Sequence, residues 1–170
     1  MTEILLTLWI QMGIWQQGPA EMERARLRPW ATAISELQST DQLKVAVAYV
    51  AWKETRLAAY VLEGRCKEGP RGQRCDPGRD GEPRALGPWQ LHRAACPLAW
   101  EQGPSSYRVQ ADCAARQIRY AMRRCSNESS GYWQGAFNGY AGRRCDDPRG
   151  AVRAREHARM YALFQSTASS

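Results

Sequence analysis

A continuous apolar run from Val45 to Trp52 is the feature that most constrains how this chain folds. The segment Ser39-Thr40-Asp41 precedes it and supplies side-chain oxygens of the kind that begin helices, so we predict a helix from Gln42 to about Ala59. A helix that is apolar on every side has to be surrounded by other elements. We therefore expect this segment to be the central core helix of the domain.

Helical patterns also dominate the chain before this segment. Residues 3–16 predict a first helix, which Gly18-Pro19 ends. Its apolar face consists of Leu5, Leu8, Met12 and Trp15. Pro29 is a favoured first helical residue and predicts the start of a second helix. The apolar face of this second helix consists of Trp30, Ala33, Ile34 and Leu37.

The second half of the chain predicts further helices, which decide the fold class. The first of them lies within Gln90–Trp100 and is interrupted at Pro97. The next two cover Ser105–Arg124 and Ser129–Phe137. The last helix begins at Asp147-Pro148 and ends at Gln165. Residues 166–170 have the composition of a flexible tail. We expect an all-α or α-dominated α+β fold in which residues 1–165 form a single domain.

The segment from Gly64 to Pro88 differs from the rest because it is rich in glycine, proline and charge. It predicts a long loop with a short hairpin, and a disulfide between Cys66 and Cys75 would staple it. Long loops that are tied down in this way are usually functional.

The cysteines indicate the compartment. Their even number favours disulfides and therefore a periplasmic or secreted protein, although the first fifteen residues lack the features of a signal peptide. The disulfide candidates are Cys66, Cys75, Cys96, Cys113, Cys125 and Cys145, and their pairing stays open. No Cys-x-x-Cys pair is present and His92 lies far from His157, so we expect no metal and no cofactor.

The formal net charge of +7 comes mainly from arginine, which favours an anionic polymer as partner. Charge alone does not separate bacterial cell wall from nucleic acid or anionic lipid. The arginines are scattered, with doublets at Arg123-Arg124 and Arg143-Arg144, so a nucleic-acid interface is the weaker alternative. No stretch approaches the roughly 20 apolar residues of a membrane span.

Glu54 is the strongest candidate for a catalytic group, because it lies near the C-terminal end of the predicted core helix. Apolar surroundings and the negative end of a helix dipole both favour a protonated carboxyl group. Such a group can protonate a glycosidic oxygen. The neighbouring cations Lys53 and Arg56 would oppose this only if they faced Glu54.

Three short segments occur in order around this residue. They are Trp52-Lys53-Glu54-Thr55, Ala85-Leu86-Gly87-Pro88-Trp89-Gln90-Leu91 and Ala136-Phe137-Asn138-Gly139-Tyr140. Together they resemble the lytic transglycosylase and goose-type lysozyme superfamily over residues 41–142. The resemblance implies a lysozyme-like fold and cleavage of the β-1,4 bond between MurNAc and GlcNAc in peptidoglycan glycan strands.

The resemblance also implies roles for individual residues. Glu54 would be the general acid and base, and Thr55 would support it where the family has serine. Gln90 would be the cleft glutamine and Asn138 a sugar contact. Gly87 would let the glycan approach the backbone closely.

Departures from the family pattern affect the cleft. Pro88-Trp89 replaces Leu-Met in the cleft floor, and Phe137 replaces a tyrosine, so Tyr140 or Tyr132 would have to supply the phenol. Hydrolysis needs a second group that holds a water molecule. Its candidates are Asp80, which lies nearest the expected position, and also Asp76 and Glu82. Transglycosylation needs no such group, because the C6 hydroxyl of the sugar attacks.

The aromatic residues are candidates for stacking on sugar rings. The set consists of Trp89, Trp100, Tyr132, Trp133 and Tyr140, whereas Trp30 and Trp52 are expected in the core. We expect a monomer that acts on peptidoglycan. The main alternative on the same fold is a wall-binding or inhibitor-like module without catalysis.

Overall fold

The computed structural model describes residues 1–14, 18–65, 83–126 and 132–169. In this part of the chain helices predominate, together with one two-stranded antiparallel sheet. The elements are α1 Thr2–Gln11, α2 Ala20–Ser35, α3 Asp41–Thr55, α4 Ala59–Leu62, β1 Ala85–Leu86, β2 Leu91–His92, α5 Pro97–Gln102, α6 Tyr107–Arg124, α7 Tyr132–Tyr140 and α8 Arg149–Ala168. The predicted helix-dominated fold class is therefore confirmed.

Helix α3 is the core of the molecule, as its apolar run predicted. Every residue from Val45 to Trp52 is buried. The hydroxyl of Thr40 begins the helix by accepting a hydrogen bond from the backbone N–H of Leu43. Helices α1, α2, α6 and α8 pack around it. Because these helices surround α3, its position within the domain is fixed by packing.

The C-terminal end of α3 comes earlier than the predicted Ala59. Arg56 and Leu57 adopt left-handed backbone conformations, with φ of 51° and 57°, and neither is a glycine. The hydroxyl of Thr55 donates to the carbonyl of Ala51 and accepts from the N–H of Leu57, which stabilises this sharp end. Two consecutive residues in this uncommon region mark a strained turn directly after Thr55, close to Glu54.

Helix α1 belongs to the folded domain, as predicted, although it ends at Gln11. Its Leu5 and Leu8 are fully buried. Trp15 lies outside the described residues. Among those that are described, no helix combines the length and the apolar character needed to cross a bilayer.

Helix α2 begins at Ala20, so the prediction that Pro29 opens it was wrong. Pro19 is the N-cap residue, and Glu21 and Glu23 lie in the first turn, where the helix dipole favours negative charge. Pro29 lies inside the helix, where it cannot donate a backbone hydrogen bond. The predicted apolar face is nevertheless buried at Trp30, Ala33, Ile34 and Leu37.

The segment after the long loop forms a hairpin before any helix. Strands β1 and β2 pair Ala85 with His92 and Leu86 with Leu91. Helix α5 starts only at Pro97, which corrects the prediction of a helix from Gln90 interrupted at that proline. Proline suits the first turn of a helix, where no backbone donor is needed.

Helices α6 and α7 form a closely packed pair, and this explains why α7 continues past its predicted end at Phe137. A Cβ atom at Gly139 would lie 2.8 Å from the Cβ of Ala121 on α6. The glycine therefore permits close approach of two helices and does not end one. Helix α7 reaches Tyr140 as a result.

The last helix begins beside Asp147 and ends later than predicted. The Asp147 carboxylate accepts a 2.9 Å hydrogen bond from the N–H of Arg149, while Pro148 is the N-cap residue. Helix α8 extends to Ala168, beyond the predicted Gln165 and into the predicted tail. The hydroxyls of Ser166 and Thr167 donate back to the carbonyl of Leu163 within this extension.

Two disulfides connect the described elements. Cys96 at the start of α5 is bonded to Cys113 in α6, and Cys125 at the end of α6 is bonded to Cys145 between α7 and α8. The predicted disulfides are confirmed for these four cysteines. Cys66 and Cys75, with the staple predicted between them, lie outside the described residues.

Candidate active site

Glu54 lies at the C-terminal end of the core helix α3, and its side chain is partly exposed to solvent. Its side chain is 23% exposed. The guanidinium of Arg153, which α8 contributes and which is 13% exposed, donates a 2.6 Å hydrogen bond to Glu54 Oε1. Among the described residues, the environment of Glu54 therefore includes a charged partner and is not purely apolar as expected. The bond joins a guanidinium to a carboxyl group and is an ion pair.

The two cations near Glu54 in sequence, Lys53 and Arg56, contact other groups. Lys53 Nζ donates to both carboxylate oxygens of Glu156, at 2.8 and 2.7 Å. The Arg56 guanidinium lies 3.8 Å from the ring centroid of Trp52. The cation on Glu54 instead comes from a distant part of the chain.

Glu54 lies in a cleft of about 340 Å³ between the hairpin and the ends of three helices. The cleft is lined by Glu54, Trp89, Gln90, His92, Gln117, Tyr140, Ala141, Gly142, Arg143 and Arg153. Its size falls within the range of small-molecule sites. The structure thus brings together Glu54, Gln90, Trp89 and Tyr140 of the predicted site.

The turn between β1 and β2 holds Gln90 at the cleft. Gln90 has a φ of 51°, uncommon for a residue with a side chain, and its Nε2 donates to the carbonyl of Gly87 at 3.0 Å. Gly87 has a φ of 64°, and a Cβ atom there would lie 1.9 Å from Gln110 Oε1. The turn therefore needs Gly87 for contact with α6.

Tyr140 connects α7 to this turn. Its hydroxyl donates a 2.7 Å hydrogen bond to the carbonyl of Trp89. Burial and the negative charge of Glu54 raise the pKa of Tyr140 well above its ordinary value, although the charge of Arg153 acts in the opposite direction. Tyr140 therefore stays protonated beside the acid. Tyr140 was one of the two residues predicted to supply the phenol that Phe137 lacks.

Thr55, Phe137 and Asn138 are predicted site residues that the structure places in the core. Each has no exposed surface. Thr55 bonds within the end of α3, as described above. Phe137 packs against Tyr49, with ring centroids 5.0 Å apart. These side chains do not line the cleft, so any role they have in it is indirect.

Asn138 anchors the segment between α7 and α8. Its Nδ2 donates to the carbonyls of Cys145 and Asp147, at 2.9 and 2.7 Å. Its backbone carbonyl oxygen accepts a 2.8 Å hydrogen bond from the N–H of Arg143. The predicted sugar contact is thus replaced by a structural one in this conformation.

The candidate aromatic platforms are mostly used in packing. Trp89 lines the cleft but is fully buried, with its ring N–H bonded to the carbonyl of Val47. Trp100 Nε1 donates to the carbonyl of Leu91, and Trp133 stacks on Phe137. Tyr132 is 53% exposed but does not line the cleft. Tyr140 is the predicted aromatic that best faces a ligand.

The hydrolytic carboxylates Asp76, Asp80 and Glu82 lie outside the described residues. Among the described residues that line the cleft, Glu54 is the sole carboxylate. In the same part of the chain, no three metal-ligating His, Cys, Asp or Glu side chains come together.

Sequence reasoning missed Arg153, Arg143 and Gln117, which also line the cleft. Arg153 is 99 positions from its partner Glu54, and nothing in its local sequence distinguishes it from the other arginines of α8. Arg143 and Gln117 reach the cleft only because α6 and α7 pack closely. Contacts of this kind depend on the tertiary fold.

A second carboxylate, that of Glu156, lies in the interface between α3 and α8 and has a different environment. Glu156 accepts hydrogen bonds from Lys53 and from the hydroxyl of Tyr49, the latter at 2.6 Å. Burial alone would raise the pKa of Glu156, but these bonds outweigh burial and lower it. Burial and the bond to Glu156 raise the pKa of Tyr49 far above its ordinary value.

A larger cavity, of about 530 Å³, lies between α2 and α6. Its lining is mainly apolar, and its charged residues are engaged: Arg108 binds Glu36, and Arg28 binds Glu3. It offers no group that is placed for proton transfer. The smaller Glu54 cleft is therefore the better candidate for chemistry.

Comparison of the chain with protein-family models, with curated proteins and with solved structures finds no match. The family resemblance therefore stays a prediction from three short segments.

Proposed function

We propose that this protein cleaves the β-1,4 bond between MurNAc and GlcNAc in peptidoglycan, with Glu54 as general acid and base. The observation that carries the proposal is a partly exposed carboxylate, held at the end of the buried core helix, in a cleft large enough for sugar rings. The resemblance of three ordered segments supports the same chemistry. Two disulfides support a periplasmic or secreted location.

The reaction begins with proton transfer from the Glu54 carboxyl to the glycosidic oxygen. The bond between C1 and that oxygen breaks, and positive charge develops on the sugar ring. An oxygen nucleophile then attacks C1 and returns its proton to Glu54. If the nucleophile is the C6 hydroxyl of the same sugar, the product has a 1,6-anhydro end. If it is water, the hydrolytic route needs a second carboxylate from outside the described residues, such as Asp80.

Arg153 sets a condition on this mechanism. Its guanidinium occupies Oε1, so the proton that Glu54 donates has to be carried by the other oxygen, Oε2, as long as this bond is present. A substrate that displaces the guanidinium from Oε1 would make both oxygens available. Arg153 would then be free to contact the substrate.

The second candidate is a glycan-binding module without catalysis. The same ion pair favours it, because a carboxylate held by arginine can orient sugar hydroxyls without any proton transfer. The burial of Thr55, Phe137 and Asn138 also removes three residues that the catalytic family would use.

Mass spectrometry of fragments released from purified peptidoglycan separates these candidates. We expect the wild type to release fragments, and Glu54→Gln to release them 100- to 10,000-fold more slowly, which is the usual contribution of general acid–base catalysis. Anhydro ends identify transglycosylation and reducing ends identify hydrolysis.

Full activity of Glu54→Gln would contradict the role of Glu54. Absence of release by the wild type, combined with saturable binding to peptidoglycan, would establish the binding module. The melting temperature of the variant is the control for folding.

A further inference from the structure

Arg143 is a second arginine that lines the Glu54 cleft, and its guanidinium has no carboxylate partner among the residues that the structure describes. It lines this cleft and also the neighbouring cavity formed by Arg144, Asp146, Asp147 and Arg149. The other arginines around it are paired: Arg153 with Glu54, Arg149 with Asp147 and Arg144 with Asp146.

Asp147, which also lines the neighbouring cavity, does not form an ion pair with Arg143. Arg143 contributes to lowering the pKa of Asp147, but the main cause is the hydrogen bond from Arg149, which occupies that carboxylate at 2.6 Å. Within the cleft, Glu54 and Arg153 cancel each other's charge. The described lining therefore carries one uncompensated positive charge, at Arg143.

The backbone of Arg143 is held firmly for a residue in a connecting segment. Its N–H is bonded to the carbonyl of Asn138, and the side chain of Asn138 binds the carbonyls of Cys145 and Asp147. The disulfide from Cys145 to Cys125 ties the same segment to α6. A guanidinium on a fixed backbone binds an anion with a smaller loss of conformational entropy than one on a free loop.

We propose that Arg143 is a specificity-determining residue that binds a carboxylate of the glycan in the Glu54 cleft. This inference rests on the proposed function and names the feature of the substrate that the cleft recognises. A planar guanidinium pairs with carboxylate through two parallel hydrogen bonds. The muramic-acid residue offers two sources of this group: its own lactyl carboxylate, or the terminal carboxylate of an attached peptide.

The test is equilibrium binding measured by calorimetry. The first probe is the disaccharide GlcNAc-β-1,4-MurNAc. It lacks the MurNAc–GlcNAc bond that the enzyme would cleave, so the wild-type protein can be measured with it. The second probe is the same disaccharide with its lactyl carboxyl group converted to a methylamide. A third probe carries a short peptide on the lactyl group, so that its only carboxylates belong to the peptide. A fourth, the dimer of GlcNAc, has no carboxylate.

We expect the wild type to bind at least one carboxylate-bearing probe about tenfold more tightly than the methylamide and the GlcNAc dimer. The probe that shows this preference identifies the lactyl group or the peptide as the source. Arg143→Gln should abolish the preference. Arg144→Gln is the matched control, because it removes the same charge from a highly exposed neighbour outside the cleft and should keep the preference.

Equal affinity of the wild type for all four probes, or no binding of any, would overturn the proposal. Retention of the preference in Arg143→Gln would also overturn it and would transfer the role to Arg153. The two proposals fail separately. Cleavage of peptidoglycan without carboxylate preference leaves the catalytic proposal intact, whereas carboxylate preference without cleavage leaves only the binding proposal.

Discussion

Two ion pairs cross the interface between α3 and α8 with opposite polarity. Helix α3 contributes the cation Lys53 to one and the anion Glu54 to the other, while α8 contributes Glu156 and Arg153. Burial does not distinguish them, because the Glu54 side chain is 23% exposed and the Glu156 side chain is 30% exposed. The number of hydrogen bonds does.

Glu156 accepts three hydrogen bonds, whereas Glu54 accepts one. Both oxygens of Glu156 accept from Lys53, and one also accepts from Tyr49. Glu54 accepts one bond, at Oε1, and no described residue donates to its other oxygen. Both oxygens of Glu156 are therefore engaged in the helix interface, whereas one oxygen of Glu54 remains open to the cleft and available for chemistry.

The largest expected effect on stability concerns His157, which follows Glu156 in α8. His157 is 1% exposed, and no described side chain forms a hydrogen bond with its ring nitrogens. Burial lowers its pKa from 6.5 to about 4, while the backbone of Gln42 acts weakly in the opposite direction. The unfolded chain therefore binds a proton that the folded protein excludes.

The free energy of unfolding should consequently fall by about 3 kcal/mol as the pH decreases from about 6.5 to about 4, and should be at its full value above 6.5. Urea unfolding at a series of pH values measures this slope. His157→Phe should flatten that part of the profile, because phenylalanine does not titrate. An unchanged slope in the variant would show that other groups cause it.

A smaller effect is expected for Glu156→Gln. Glutamine keeps one acceptor oxygen, but its NH2 group would face Lys53 or Tyr49, which are both donors. We expect a loss of roughly 1 to 2 kcal/mol in the free energy of unfolding. Chemical denaturation measures it, with Arg144→Gln as a surface control. A variant as stable as the wild type would show that the network contributes little.

The smallest effect on stability is expected for Glu54→Gln. The amide oxygen can still accept from Arg153, and the NH2 group can take the place of the open oxygen toward the cleft. We expect a change of less than about 1 kcal/mol. The same denaturation experiment tests this difference. If Glu54→Gln costs more than Glu156→Gln, the distinction between a filled and an open carboxylate is wrong.

The core helix and its acid were predictable because their signals are local. The apolar run from Val45 to Trp52, preceded by the N-cap residue Thr40, predicts a buried helix, and Glu54 lies two residues after the run. The early end of α3 was not predictable, because Arg56 and Leu57 adopt conformations that their residue types disfavour and that the surrounding fold imposes. Glycine misled the prediction for α7 since Gly139 serves helix packing.

The composition of the cleft was predictable only in part. Glu54, Gln90 and Tyr140 were found through short segments, and all three line it. Asn138 belongs to one of the same segments but is turned into the core, since its amide binds the carbonyls of Cys145 and Asp147. Arg153 gives no local signal, because its position depends on how α8 packs against α3.

The most direct test of the central claim is the initial rate of fragment release from purified peptidoglycan by Glu54→Gln and Glu156→Gln, each measured below its unfolding temperature. The two variants remove the same charge from neighbouring positions in one helix interface. We predict that Glu54→Gln is slower than the wild type by 100- to 10,000-fold, whereas Glu156→Gln keeps a rate of the same order as the wild type. Equal losses in both, or an unaffected rate in Glu54→Gln, would contradict the assignment of Glu54 as the catalytic acid.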